Sequence, residues 1–231
     1  MNTTSWIFVG LLSVTLILYI LGLAKGINPL EKTARVLFVP FIAGLIISIL
    51  TLYLPDAHHI ITISSISFGV ASVHILFTLG SKNTFLKAME EIFYALLQTF
   101  WIYLILSVYR IYRISQLIFI LSGIVYLAGF VVISVFIKKQ SFVKYASSII
   151  QYAFSVIFGI TTFICMIYEK RLFGIIMFIA SLVFMFGTVI IIFQKTRPFA
   201  ISEKTEKLLI TITAICSNAL MGAGAILMQI Y

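Results

Sequence analysis

Residues 5–24 read SWIFVGLLSVTLILYILGLA, a run of twenty positions without a charged side chain. A helix that crosses the apolar core of a bilayer requires about 20 such residues, at a rise of about 1.5 Å per residue. The run ends at AKGINPLEK, residues 24–32, where Gly, Asn and Pro favour a turn and the charges favour the membrane surface. This stretch therefore predicts a membrane-spanning helix followed by a tight turn.

The same pattern continues along the 231 residues, of which 62% are hydrophobic and 10% charged, against about 25% charged in soluble domains. Apolar runs between short charged breaks predict eight membrane-spanning helices, at approximately 5–24, 35–54, 60–80, 88–109, 115–137, 145–168, 172–193 and 208–230. Because the intervening loops are short, they leave no room for a soluble domain, and neighbouring helices are expected to run antiparallel. The expected fold is an all-α polytopic bundle, a single transmembrane domain over residues 1–231.

Lysine and arginine are distributed unevenly between alternate loops. The first, third, fifth and seventh loops carry twelve of the 16 basic residues, namely Lys25, Lys32, Arg35, Lys82, Lys87, Lys138, Lys139, Lys144, Lys195, Arg197, Lys204 and Lys207. The other loops carry Arg110, Arg113, Lys170 and Arg171. Since cytoplasmic loops are enriched in basic residues, the odd loops are predicted to be cytoplasmic. Both termini are then predicted to lie on the outer side of the cell membrane.

The net charge of +9 does not indicate nucleic-acid binding, because the basic residues are scattered between apolar runs and cannot form one patch. Their expected partners are membrane lipids with anionic head groups.

The stretch AMEEIFYALLQTF, residues 88–100, places two acids at the start of the predicted fourth helix. Glu90 and Glu91 fall within its predicted first turn, where the positive end of the helix dipole stabilises acids without any further role. Glu91, Tyr94 and Gln98 also follow i, i+3, i+7 spacing and share one face. A polar face within a membrane must contact protein or water, because lipid cannot satisfy its hydrogen bonds.

Polar side chains at a similar depth on other predicted helices indicate a cavity open to the cytoplasmic side. His74 lies near the end of the third helix, and the sixth and eighth helices contribute Gln151, Tyr152, Ser217 and Asn218. His74 is either a neutral imidazole hydrogen-bonded to a neighbour or a proton-transferring group. Ionisable groups at such depth are functional candidates, which makes Glu91 and His74 the candidate catalytic residues. The candidates for binding a lipid head group are Lys82, Lys87 and Lys144.

A metal site is not expected from this sequence. Asp56, His58 and His59 lie together in the second loop, on the opposite side from His74, and lack a third strong ligand. The P-loop, the GxSxG nucleophile motif and the HExxH zinc motif are all absent, and no cofactor is expected.

The eight short-looped helices resemble the YhhN family of membrane proteins, whose characterised members are lysoplasmalogenases. Similar positions are Lys32 before the second helix, Gly69 in SISFGVAS, Phe93, Gln98 and Trp101 in the fourth helix, Gly174, Phe178 and Ser181 in GIIMFIASLVF, and Asn218 near the end. The resemblance implies a hydrolase that cleaves the vinyl-ether bond of a lysolipid and releases a fatty aldehyde.

Two acids of the family pattern are absent, since Val70 and Leu182 stand in their places. Neither side chain can protonate a vinyl ether or activate water. Either the activity is lost, or the matched register is shifted, or Glu91 and His74 have taken over. Two functions therefore stay open: a lysoplasmalogenase-like hydrolase of lysophospholipids, and a non-enzymatic carrier or sensor that holds a lipid or small amphiphile in the same cavity.

Overall fold

A computed structural model describes residues 2–79, 84–108, 142–169, 172–196 and 202–230, with the isolated positions 120, 123, 124, 128, 131 and 135. The continuous stretches form seven helices and no strand: α1 Thr3–Lys25, α2 Asn28–Tyr53, α3 His58–Leu79, α4 Thr84–Val108, α5 Phe142–Glu169, α6 Leu172–Thr196 and α7 Glu203–Ile230. Six of these seven are long and apolar enough to cross a membrane, and the apolar part of α4, Ile92–Val108, is shorter. The described chain is that of a helical membrane protein, as predicted.

Seven predicted spans coincide with these helices, and the predicted fifth span, 115–137, lies mostly outside the described residues. The helices extend beyond the predicted apolar runs. For example, α2 begins at Asn28 and α4 begins at Thr84. Hydropathy reports how deep a residue lies in the bilayer, whereas a helix continues for as long as its backbone hydrogen bonds do. Lys32 and Arg35 are consequently helical residues and not loop residues.

The side chains of α1 are distributed as a lipid environment requires. Its exposed side chains are large and apolar, with Trp6 62% and Ile17 57% exposed. Its buried residues are Ser5, Thr15, Tyr19 and Gly22. Water would favour the reverse distribution. In a bilayer, apolar side chains face lipid while small and polar residues mediate the contacts between helices.

α1 and α2 form a hairpin that turns at Gly26. This residue has a φ of 68°, the left-handed conformation that favours glycine, and its N–H donates to a carbonyl in the last turn of α1. At the far end of the hairpin, Ser5 Oγ lies 2.9 Å from Ser48 Oγ. Nearer the turn, Tyr19 packs edge-on against Phe38, with ring centroids 5.8 Å apart.

The chain separates into two compact units. Unit 1 comprises Met1–Trp101 and Met221–Tyr231, and unit 2 comprises Ile102–Leu220. Within unit 1, α2 packs against both α1 and α3. The end of α7 also belongs to this unit, where Met221 is 1% exposed.

Within unit 2, two hydroxyl pairs hold α5 against α6. Ser155 Oγ lies 2.9 Å from Thr188 Oγ1, and Thr162 Oγ1 donates to Ser181 Oγ at 2.7 Å. The pairs are seven residues apart on each helix, so they lie on one face and define an antiparallel register.

Candidate functional site

Two aromatic pairs join α3 to α4 in unit 1. The imidazole of His74 lies against the ring of Tyr94, with centroids 5.2 Å apart and planes inclined by 49°. The second pair joins Phe68, which precedes His74 on α3, to Trp101, which follows Tyr94 on α4. Their rings pack edge to face with centroids 5.5 Å apart. Residue numbers fall along α3 as they rise along α4, so the two pairs define an antiparallel register. The structure thus brings His74 to the polar face of α4.

That polar face is buried inside unit 1. Tyr94 and Gln98 are 4% and 0% exposed, whereas Ile92 and Leu96 on the opposite side are 47% and 39% exposed. Tyr94 and Gln98 therefore lie on one buried side of α4, and their role in lining a cavity stays a prediction. The side chain of Glu91 lies outside the described residues, so its pairing with His74 stays a prediction.

α3 contributes a buried hydroxyl to the same unit. Ser64 is 0% exposed, and its Oγ has no hydrogen-bond partner within the described chain. The neighbouring serines differ, because Ser65 Oγ donates to Ile61 O at 2.7 Å and Ser67 Oγ donates to Ile63 O at 2.8 Å. Buried polar groups are nearly always paired, which distinguishes Ser64 from the other serines of α3. Composition alone did not distinguish Ser64 from the other serines of α3.

Four other predicted cavity residues belong to unit 2. Gln151 and Tyr152 on α5 are 4% and 3% exposed, and Ser217 and Asn218 on α7 are 1% and 4% exposed. Asn218 Nδ2 donates to a carbonyl of its own helix at 2.8 Å, while its Oδ1 has no hydrogen-bond partner among the residues described. The cavity predicted to combine these four residues with α3 and α4 draws on both units and stays a prediction.

Three lysines were predicted to contact a lipid head group. Lys82 lies outside the described residues, and Lys87 and Lys144 lie in the first turns of α4 and α5 with side chains that are not described. Their contact with a lipid head group therefore stays a prediction.

The structure corrects the position of the two acids of α4. Because the helix begins at Thr84, Glu90 and Glu91 occupy its second turn, and no acid lies in the first. The effect of the helix dipole falls off within the first turn. The dipole therefore does not account for these acids, and the prediction that placed them in the first turn is wrong.

Glu90 belongs to a charged group that was not predicted. Arg35 on α2 is half-buried and lies within electrostatic range of Tyr19, Glu31 and Glu90. Tyr19 and Glu31 are 3% and 8% exposed. The sequence contained one indication of this group. Glu31 and Arg35 have i, i+4 spacing at the start of an apolar helix, which places opposite charges on one face.

The two positions where the family pattern has acids differ in burial. Leu182 is 39% exposed, while its neighbour Ser181 accepts a hydrogen bond from α5. An acid at position 182 would point away from the contact between α5 and α6. Val70 on α3 is half-buried.

The described residues include no group of three or more His, Cys, Asp or Glu placed to hold a metal ion. Their polar groups can accept and donate hydrogen bonds, and His74 can in addition transfer a proton near neutral pH. No protein-family model, curated protein or solved structure matches the chain.

Proposed function

We propose that the protein is an eight-span protein of the cell membrane, with both termini outside, that binds a lysolipid or similar amphiphile as a non-enzymatic carrier or sensor. The observation that supports binding is the Ser64 hydroxyl, which is 0% exposed and has no hydrogen-bond partner within the described chain. An unsatisfied buried hydroxyl costs about 1–3 kcal/mol, so a ligand that pairs with it recovers that free energy.

An amphiphile suits a bundle of this kind better than a soluble solute does. Its acyl chain stays in an apolar environment beside the lipid-facing helices, where each buried CH₂ contributes about 0.8 kcal/mol. Its polar head requires hydrogen bonds, and the proposed partners in unit 1 are Ser64 and the buried face that carries Tyr94 and Gln98. Lys82, Lys87 and Lys144 are the proposed contacts for an anionic head group.

A second candidate is ether hydrolysis of the lysoplasmalogenase type, following the resemblance to the YhhN family. It is favoured by His74, whose ring lies 5.2 Å from that of Tyr94 on the polar face of α4. In this reaction a proton is added to the vinyl carbon, water attacks the resulting cation, and the hemiacetal releases a fatty aldehyde and an alcohol. His74 and Glu91 would transfer the protons. The absence of acids at Val70 and Leu182 makes this candidate the weaker one.

The test is incubation of the purified protein with vinyl-ether lysolipids and ordinary lysophospholipids, followed by size exclusion and mass spectrometry. We expect intact lysolipid to elute with the protein and no fatty aldehyde to form. Ser64→Ala should weaken retention about tenfold, since a hydrogen bond worth about 1–1.5 kcal/mol is lost. Ser65→Ala is the matched control, because the Ser65 hydroxyl already donates to Ile61 O at 2.7 Å.

The two candidates give different products. Aldehyde release that His74→Ala abolishes would establish the hydrolase and replace the carrier function. A protein that neither retains lysolipid nor releases aldehyde would contradict both.

A further inference from the structure

Ser64 differs from three other serines of α3 in its hydrogen bonding. Ser65, Ser67 and Ser72 each donate to the carbonyl four residues earlier, at 2.7, 2.8 and 2.8 Å, as serines within helices commonly do. Ser64 Oγ makes no such bond to Ile60 O and has no hydrogen-bond partner within the described chain. A ligand can therefore bind the Ser64 hydroxyl without breaking a hydrogen bond that the described chain already makes.

The level of Ser64 in unit 1 is apolar on the neighbouring helix α2. A Cβ atom at Gly222 would meet both Ile46 and Phe68, so these two residues lie at one level of the unit. Because α2 and α3 are consecutive, joined by a short loop and packed together, they run antiparallel. Leu50, one turn after Ile46, therefore lies level with Ser64, one turn before Phe68. Leu50 is 0% exposed.

The charged residues of unit 1 are placed away from Ser64 along its helices. The sequence contains no Asp, Glu, Lys, Arg or His in the ranges 5–24, 36–55, 60–73, 92–101 and 221–231. On α3 itself, His59 is exposed and lies about 7.5 Å from Ser64 along the helix axis, and His74 lies about 15 Å away in the other direction. The rings of Phe68 and Trp101 pack between Ser64 and His74. An ionised group bound at Ser64 would therefore meet no opposite charge from these ranges, which is costly in an apolar environment.

We propose that Ser64 binds an uncharged glycerol hydroxyl or ester group of a single-chain lipid, and not a phosphate. A hydroxyl can donate to Ser64 Oγ or accept from it, and an ester carbonyl can accept from it. This chemistry is shared by monoacylglycerols and by the glycerol portion of lysophospholipids. The inference rests on the proposed function and specifies which part of the amphiphile the site contacts.

The test measures the affinity of the full chain in phosphatidylcholine nanodiscs for tritiated monooleoylglycerol, with empty nanodiscs subtracted. This lipid has two hydroxyls, an ester and no charge. Ser64→Ala should weaken its binding about tenfold, because one hydrogen bond is lost. The matched control Ser65→Ala should leave the affinity unchanged, since the Ser65 hydroxyl already donates to Ile61 O at 2.7 Å.

Two further ligands and one stability measurement separate this contact from other roles of Ser64. Oleoyl lysophosphatidylcholine has the same ester and a glycerol hydroxyl, so Ser64→Ala should weaken its binding by a similar factor. Octadecene has a chain of similar length and no polar group, so its binding should not change. Without ligand, Ser64→Ala should keep or raise the Tm, because it removes a buried hydroxyl that makes no hydrogen bond within the described chain.

Any of four results would overturn the contact. The first is absent or unchanged binding of monooleoylglycerol in Ser64→Ala, as expected if only a buried water pairs with Ser64. The second is an effect confined to lysophosphatidylcholine, which would assign the phosphate to Ser64. The third is equally weakened octadecene binding, and the fourth is a lower Tm, since both would indicate a role in packing.

The contact and the proposed function can fail separately. Lysophosphatidylcholine that is not retained contradicts the proposed function, whereas binding of monooleoylglycerol that depends on Ser64 would still support the contact. Retained lysophosphatidylcholine together with unchanged monooleoylglycerol affinity in Ser64→Ala would overturn the contact alone.

Discussion

At the scale of single residues, Gly22 determines how closely α1 approaches the start of α2. A Cβ atom at this position would lie 2.7 Å from Glu31 N and 3.0 Å from Glu31 Cα, and both are backbone atoms that cannot rotate away. The same approach brings Tyr19 to the level of Arg35. A glycine is thus required for this close approach of the two helices, although glycine is not a favourable residue within a helix.

Gly22→Ala should destabilise the protein by about 1–3 kcal/mol, because the added methyl forces α1 away from α2. Gly10→Ala on the same helix is the matched control, since a Cβ there meets nothing within 4 Å. This control should be neutral or stabilising by up to about 1 kcal/mol, because alanine is the better helix former. Thermal unfolding in detergent measures both. Equal effects of the two substitutions would contradict the close approach at Gly22.

At the scale of helices, hydroxyl pairs define the register of α5 against α6. Ser155 with Thr188 and Thr162 with Ser181 form contacts of 2.9 and 2.7 Å that are seven residues apart on each helix. Hydrophobic burial does not select a register in a bilayer, because lipid tails are as apolar as the helix interface. Side-chain hydrogen bonds and close packing have to do so.

A double-mutant cycle with Thr162→Val and Ser181→Ala should give a coupling free energy of about 0.6 kcal/mol, the average for interhelical hydrogen bonds in membranes. Thr161→Val in place of Thr162→Val is the control, because the Thr161 hydroxyl donates to Ile157 O of its own helix at 2.8 Å. Unfolding free energies in mixed micelles measure the cycle. Coupling as large with Thr161 as with Thr162 would show that the hydroxyl pair does not contribute specifically.

At the scale of the whole molecule, the proposed orientation in the membrane rests on the charges of the predicted loops. Twelve of the 16 basic residues fall in the odd predicted loops. The proposed eight spans place residues 56 and 202 on opposite sides of the membrane.

Asp56→Cys should react with a membrane-impermeant maleimide in intact cells, and Ser202→Cys should react only after permeabilisation. Both substitutions are made in a background without Cys165 and Cys216, and that background without either substitution is the control. Because these two positions lie on opposite sides only if residues 115–137 cross the membrane, labelling of both from one side would contradict eight spans.

The burial of one predicted polar face could be read from the sequence, whereas a second polar group could not. The buried face of Tyr94 and Gln98 followed from helical spacing, since polar groups cannot face lipid. The charged group did not follow, because Glu90 and Glu91 differ by about 100° around the helix axis, one residue of a 3.6-residue turn. Spacing favoured Glu91 for the site, whereas the structure connects Glu90 to Arg35.

The amino-acid sequence by itself determined that this is a membrane protein and where seven of its helices lie. Six of these helices contain a local run of about 20 apolar residues, which can be recognised without knowledge of the neighbouring helices. Only the tertiary structure decided that Tyr19 and Glu90 come within electrostatic range of Arg35, although the three residues lie on three different helices. The physical reason is that apolar side chains are equally favourable against lipid and against protein. Hydrophobicity therefore does not set the rotation of a helix about its axis, and packing and polar contacts do.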